Sequence, residues 1–193
     1  MRTLPFIAAA FLVMPGLASA QEVTNRVATE SDWQVFEGTS PKECWAVTAP
    51  KETVNTRDGK VVSVRRGDIL LFVTYRPEQK VAGEVSFTGG YPFAEGSTVT
   101  MDISGATFEL FTQGEYAWPA TPADDLKIVT ALKRGANAVL SARSSRGTRT
   151  QDTFSLLGAT AMIEDAENRC ANAAAGEQPD AEAAESEESG SEG

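Results

Sequence analysis

The chain has 193 residues, with 27 acidic side chains against 17 basic ones, a net charge of −10, two cysteines and no histidine. The missing histidine removes Ser-His-acid and Cys-His nucleophilic sites, histidine-ligated zinc and the commonest general base near neutral pH. An acidic chain whose basic residues form no long stripe also lacks the electrostatic footprint of nucleic-acid binding.

Residues 1–20, MRTLPFIAAAFLVMPGLASA, have the form of a signal peptide: Arg2, an apolar run from Leu4 to Met14, Pro15-Gly16, and Ala18-Ser19-Ala20 as a small-x-small cleavage site. The apolar run is too short to span a bilayer, so cleavage after Ala20 and a periplasmic or secreted product with no transmembrane segment are expected. Residues 21–30 read as a polar, frayed lead-in. Residues 31–171 read as a single β-rich globular domain. Residues 172–193 read as a disordered acidic tail, because seven carboxylates and no large apolar side chain cannot offset the entropy of ordering them. An oxidising compartment favours pairing the two cysteines, Cys44 with Cys170. They lie 126 positions apart, and closing so long a loop stabilises by at most roughly 4 to 5 kcal/mol.

In chain order, Asp32–Phe36 and Glu43–Thr48 read as two short strands, with Trp33 and Val35 on one face and Cys44 and Ala46 on another. Residues 51–60 read as a loop ending in the turn Arg57-Asp58-Gly59-Lys60. VVSVRR, residues 61–66, reads as a brief strand. The apolar run Ile69–Tyr75 suggests a central strand, and Glu84–Thr88 alternates around Val85 and Phe87. Gly89-Gly90 before Tyr91-Pro92 is a tight turn, not a phosphate loop. Thr98–Ile103 and Thr107–Phe111 form a hairpin about Ser104-Gly105, and Glu115–Trp118 is a further short strand.

Thr121-Pro122-Ala123-Asp124-Asp125 combines a capping hydroxyl, a first-turn proline and two first-turn acids, predicting a helix with Leu126, Ile128, Val129 and Leu132 inward and Gly135 as its stop. Asn137–Arg143 and Thr148–Leu156 form a hairpin. After Gly158 the spacing of Ala159, Met162, Ile163, Ala166 and Cys170 places all five on one helical stripe. The fold expected is mainly β: an antiparallel sandwich or barrel-like domain with two helices packed on it, the last at the C-terminus.

Two groups of residues are candidate recognition surfaces. Arg143, Arg146 and Arg149 flank a hairpin tip, with Arg134 a possible neighbour, and their guanidinium forks could receive an anionic group; the alternative is a solvated hairpin paired with Asp152. Tyr91, Phe93, Tyr116 and Trp118 could form an aromatic contact surface, or could fold back to cover the end of a sandwich. No residue stands out as catalytic, metal-binding or cofactor-binding. Asp124 and Asp125, the densest acidic pair, diverge on a helix by about 100°.

The phrases RRGDILLFVTYRP, SFTGGYPF, DDLKIVTALKRG and above all RGTRTQDTFSLLGATAMIEDAENRC resemble the invasion-associated locus B family of proteobacterial exported proteins, over roughly Asp32 to Cys170. A further cysteine pair of that family has no counterpart between Phe111 and Pro119. The resemblance implies an exported domain and supplies no catalytic residue. Together with the leader it leads to the expectation of a non-enzymatic binding role with an unidentified envelope or protein partner. The alternatives are a carboxylate-dependent hydrolase acting on envelope glycans and a structural role through self-association.

Overall fold

The computed structural model describes residues 25–175; the leader with its cleavage site, and the acidic segment beyond 175, lie outside the described residues. The strands are β1 (Arg26–Glu30), β2 (Trp33–Thr39), β3 (Lys42–Thr48), β4 (Glu52–Arg57), β5 (Lys60–Val61), β6 (Leu70–Arg76), β7 (Val81–Thr88), β8 (Thr98–Ile103), β9 (Ala106–Gln113), β10 (Tyr116–Trp118), β11 (Asn137–Arg143) and β12 (Arg149–Ser155). Two α-helices accompany them, α1 (Pro122–Leu132) and α2 (Ala159–Ala175). All strand pairs are antiparallel, in one sheet of order β1-β2-β3-β6-β7-β10-β9-β8-β11-β12-β4-β5. The fold is therefore mainly antiparallel β with two helices, the second at the C-terminal end of the domain.

The sheet curls until its two halves meet. Phe87 of β7 and Phe154 of β12 are separated by four strands, yet their rings pack edge-on with centroids 6.1 Å apart. Trp33 of β2 donates its indole N–H to the carbonyl of Ser155 at 3.1 Å. The alternating inward residues of both halves form one buried cluster: Val35, Leu71, Val73 and Phe87 from one, Val99, Met101, Leu110, Leu140 and Phe154 from the other. α1 packs on β7 through Ile128, Val129 and Leu132. Thr121 caps it by accepting from the N–H of Asp124 at 3.2 Å, as the sequence indicates, whereas Leu126 faces solvent at 59% exposure and takes no part in the apolar side. Gly135 follows closely, donating its N–H to Ala131, and a Cβ there would stand 2.6 Å from Ile103.

α2 covers β1, β2, β3 and β6. Its stripe of Ala159, Met162, Ile163, Ala166 and Cys170 is buried, and Cys170 is bonded to Cys44 of β3 with Cα atoms 5.9 Å apart. The helix runs on through Ala175, four residues into the stretch read from sequence as tail, because Asn172 and the three alanines after it include neither glycine nor proline. Gly158, where the strand period becomes helical, has φ +90, and a Cβ on it would lie 2.2 Å from the carbonyl oxygen of Glu30. The joint needs a residue with no side chain. Gly158→Ala is expected to lower stability by at least about 1 to 3 kcal/mol, the scale of backbone strain alone. Urea unfolding checks this, and an unchanged midpoint would mean β1 yields to the methyl group at no cost.

Three segments differ from their sequence reading. Residues 52–57 are strand β4, where a loop was expected, since pairing with β12 from Thr153↔Glu52 to Arg149↔Thr56 holds a segment too polar to show an apolar alternation. Val62–Arg66 is irregular chain, where a strand was expected; only Lys60–Val61 pairs, at the edge of the sheet. Arg26–Glu30, read as frayed, is edge strand β1 against β2.

Candidate functional site

Beneath the β11–β12 turn lies a buried ion pair, Arg66 with Asp152. Arg66 donates from Nη1 and Nη2 to the two carboxylate oxygens of Asp152 at 2.7 and 2.6 Å, and from Nε to the carbonyl of Gly89 at 2.9 Å. Nη1 also reaches Asn55 of β4 at 3.3 Å. Asp152 is fully buried, and burial pushes its carboxyl above the ordinary range while Arg66 opposes that shift. The Tyr91 ring lies 4.9 Å from the guanidinium carbon, and its hydroxyl is 2.5 Å from the hydroxyl of Thr150; burial raises this phenol in turn. The tight turn Gly89-Gly90 allows this approach. Gly67 donates its N–H to Gly90, and a Cβ on Gly90 would stand 2.6 Å from the Gly67 oxygen. Arg66 thus spends its donors inside the protein and forms a floor, not a contact for a ligand.

The three arginines singled out in the sequence divide between two sides of the hairpin. Arg143 and Arg149 are directly opposed across β11 and β12 and both line a groove on the outward face. Arg146, at the turn, lines a different cleft together with Arg57 and Arg65. Asp152 pairs with Arg66 and with none of the three, because the alternation of β12 turns Thr150, Asp152 and Phe154 inward.

The four aromatics divide in the same way. Phe93 is 6% exposed and packs on Phe87 and Tyr91, with centroids 6.0 and 5.2 Å away, so it covers the end of the core; Tyr91 beside it is half-buried and lines the cleft that holds Arg146, apart from the other two aromatics. Tyr116 and Trp118 stack on each other outside, with centroids 5.8 Å apart and planes 23° apart. Phe111, which the sequence reading passed over, joins them: it is paired with Trp118 across β9 and β10 and is 50% exposed. Leu110 is buried and Phe108 packs against the core, so Phe111, next to Leu110, faces out, since alternate residues of a strand face opposite sides.

These outward groups lie in one row. Trp118 is opposite Phe111, Phe111 is opposite Thr98, Arg143 is opposite Arg149, and Arg149 is opposite Thr56. Thr98 and Arg143 share the walls of the same groove of about 490 Å³, together with the hydroxyls of Thr56, Thr100 and Ser141. A recess lined by Phe111, Gln113, Trp118 and Pro119 adjoins it. The row crosses β10, β9, β8, β11, β12 and β4, about 24 Å at the usual spacing between strands. Neither Arg143 nor Arg149 is in an ion pair among the described residues. Like charges directly opposed on a sheet repel, and an anion laid between them relieves that repulsion.

The acids present no comparable convergence. Asp124 accepts from Lys127 and Thr121, which hold its carboxyl below the usual range, while Asp125 accepts from the N–H of Val85 at 2.8 Å and is pushed up by burial. Among the described residues no group of three acidic or cysteine side chains is arranged to hold a metal ion. No described helix is long and apolar enough to cross a membrane. Compared with family models, curated proteins and solved structures, the chain gives no match.

Proposed function

We propose that the chain is an exported, non-enzymatic envelope domain that binds an acidic oligosaccharide along the outward face from β10 to β4. The observation that carries this reading is the single row of Trp118, Phe111, Thr98, Arg143, Arg149 and Thr56, apolar at one end and cationic at the other. An aromatic ring presents a negative face to the partly positive C–H groups on the flat side of a sugar ring. Arginine receives a carboxylate through two parallel hydrogen bonds. Between them, threonine and serine hydroxyls can both donate to and accept from sugar hydroxyls, and Glu109, opposite Thr100, supplies a further acceptor. The leader and the resemblance to the invasion-associated locus B family support an envelope location.

Titration of the purified domain with a uronic-acid oligosaccharide, with a neutral oligosaccharide of equal length as comparison, tests the proposal. The acidic sugar is expected to bind more tightly. Arg143→Ala with Arg149→Ala should weaken it at least about tenfold, given that charge-assisted hydrogen bonds contribute about 1.5 to 3 kcal/mol. Trp118→Ala should weaken both sugars. Equal affinity for the two sugars, or no effect of Trp118→Ala, would remove the row as the binding surface.

A further inference from the structure

On the other side of the β11–β12 turn, a cleft of about 550 Å³ opens over the Arg66–Asp152 floor. Arg57, Arg65 and Arg146 line it, with Tyr91, Ser144 and Thr148. None of these three arginines is in an ion pair among the described residues, and Glu115 is the one carboxylate in the lining. The floor pair is neutral, so three positive charges against one negative leave the cleft with a net charge of about +2, a concentration of like charge that favours an anion.

The hydroxyls add direction to that charge. Ser144 and Thr148 are 7% and 4% exposed, and each already accepts a hydrogen bond: Ser144 Oγ from the N–H of Thr148 at 3.1 Å, Thr148 Oγ1 from Arg57 Nη2 at 2.7 Å. A hydroxyl also carries one donor; among the described residues neither donor has an acceptor, and both residues line the cleft. The lining therefore offers many donors and few acceptors. A carboxylate, with a single charge and two oxygens, would meet only part of this. A phosphate monoester carries about −1.5 to −2 near neutral pH and three terminal oxygens, which matches both the charge and the donor count. The space exceeds that of a phosphate alone, and the half-buried Tyr91 provides a wall for the remainder of a small molecule.

We propose that this cleft is a binding site for a phosphate monoester, separate from the outward row. Inorganic phosphate and a sugar 1-phosphate distinguish a free anion from an esterified one. Calorimetric titration of the full mature chain at low salt, with sodium chloride at matched ionic strength as reference, should give saturable binding of phosphate. Tighter binding of the sugar phosphate would assign the ligand as an ester; equal binding would overturn the ester and leave a free-anion site. Arg65 and Arg146 are exposed and outside the hydrogen-bond network, so Arg65→Ala and Arg146→Ala should fold normally. Each is expected to weaken phosphate binding roughly tenfold. Lys127→Ala, on the exposed side of α1, removes the same charge elsewhere and should leave it unchanged. The proposal fails if neither phosphate compound saturates, or if Lys127→Ala weakens binding as much as Arg146→Ala does.

Discussion

Removing the cystine by Cys44→Ala with Cys170→Ala is expected to lower unfolding stability by up to about 4 to 5 kcal/mol, the chain-entropy value for a loop of 126 residues. Small domains have about 5 to 15 kcal/mol in all, so this would be a large fraction of the total. The bond ties the strand pair β2–β3 to the last helix, and between those points lies nearly every other element of the sheet. Much of the effect thus acts through the unfolded chain, which the cross-link keeps compact.

The native contacts around the bond should survive its loss. Glu37 accepts from Lys42, which chiefly holds its carboxyl below the usual range, and also faces Arg169 of α2 at 3.5 Å. Arg169 is anchored in turn by Asp165 at 2.6 Å. Urea unfolding of the variant should therefore show a lower midpoint and an unchanged native circular dichroism spectrum. A loss below about 1 kcal/mol would show that the unfolded chain is already compact without the cross-link.

The second large effect is expected at Arg66. Arg66→Met leaves the fully buried Asp152 without its countercharge, and breaking a buried pair from one side costs about 3 to 5 kcal/mol. The variant also loses the bonds to Gly89 and Asn55 that join the 62–68 segment to the rest of the core. Replacing both partners, Arg66→Met with Asp152→Leu, should recover most of that loss, because no charge is then stranded.

The pH dependence follows from the carboxyl alone. Burial raises the folded Asp152 carboxyl above its unfolded value of 3.8, and removing Arg66 takes away what opposes that rise. A raised acid is favoured in its protonated form by folding, so its contribution is fully present below 3.8 and is lost as pH climbs through the folded value. The deficit of Arg66→Met should therefore be greatest at neutral pH and shrink on acidification. A deficit independent of pH would mean that Asp152 is not the stranded charge.

That ion pair illustrates how much could be read in advance. The sequence puts Asp152 in step with Phe154 and Leu156, yet offers it as a partner for the arginines of a solvated hairpin; the structure buries it fully, and a buried carboxylate requires a partner. Which partner was beyond reach, since Arg66 lies 86 positions away in a segment whose valines suggested a strand. The candidate surfaces were legible as residue types and not as groupings. Arg146 is three residues from both Arg143 and Arg149, yet it sits on another side of the hairpin. Trp118 and Arg149, 31 positions apart, belong to one row.

Local chemistry by itself determined the periods of β2, β8, β9, β11 and β12, the capped start of α1, the glycine joint before α2 and the inward stripe that ends in Cys170. Each of these depends on neighbours within a few positions, where backbone sterics and side-chain direction act directly. The tertiary structure alone decided that Glu52–Arg57 would be a strand, that β4 would lie beside β12, and that aromatic and cationic side chains would share one outward row. Those outcomes are set by which strands pair across long loops. The energy of such pairing comes from burying whole faces together, which no short stretch of sequence records.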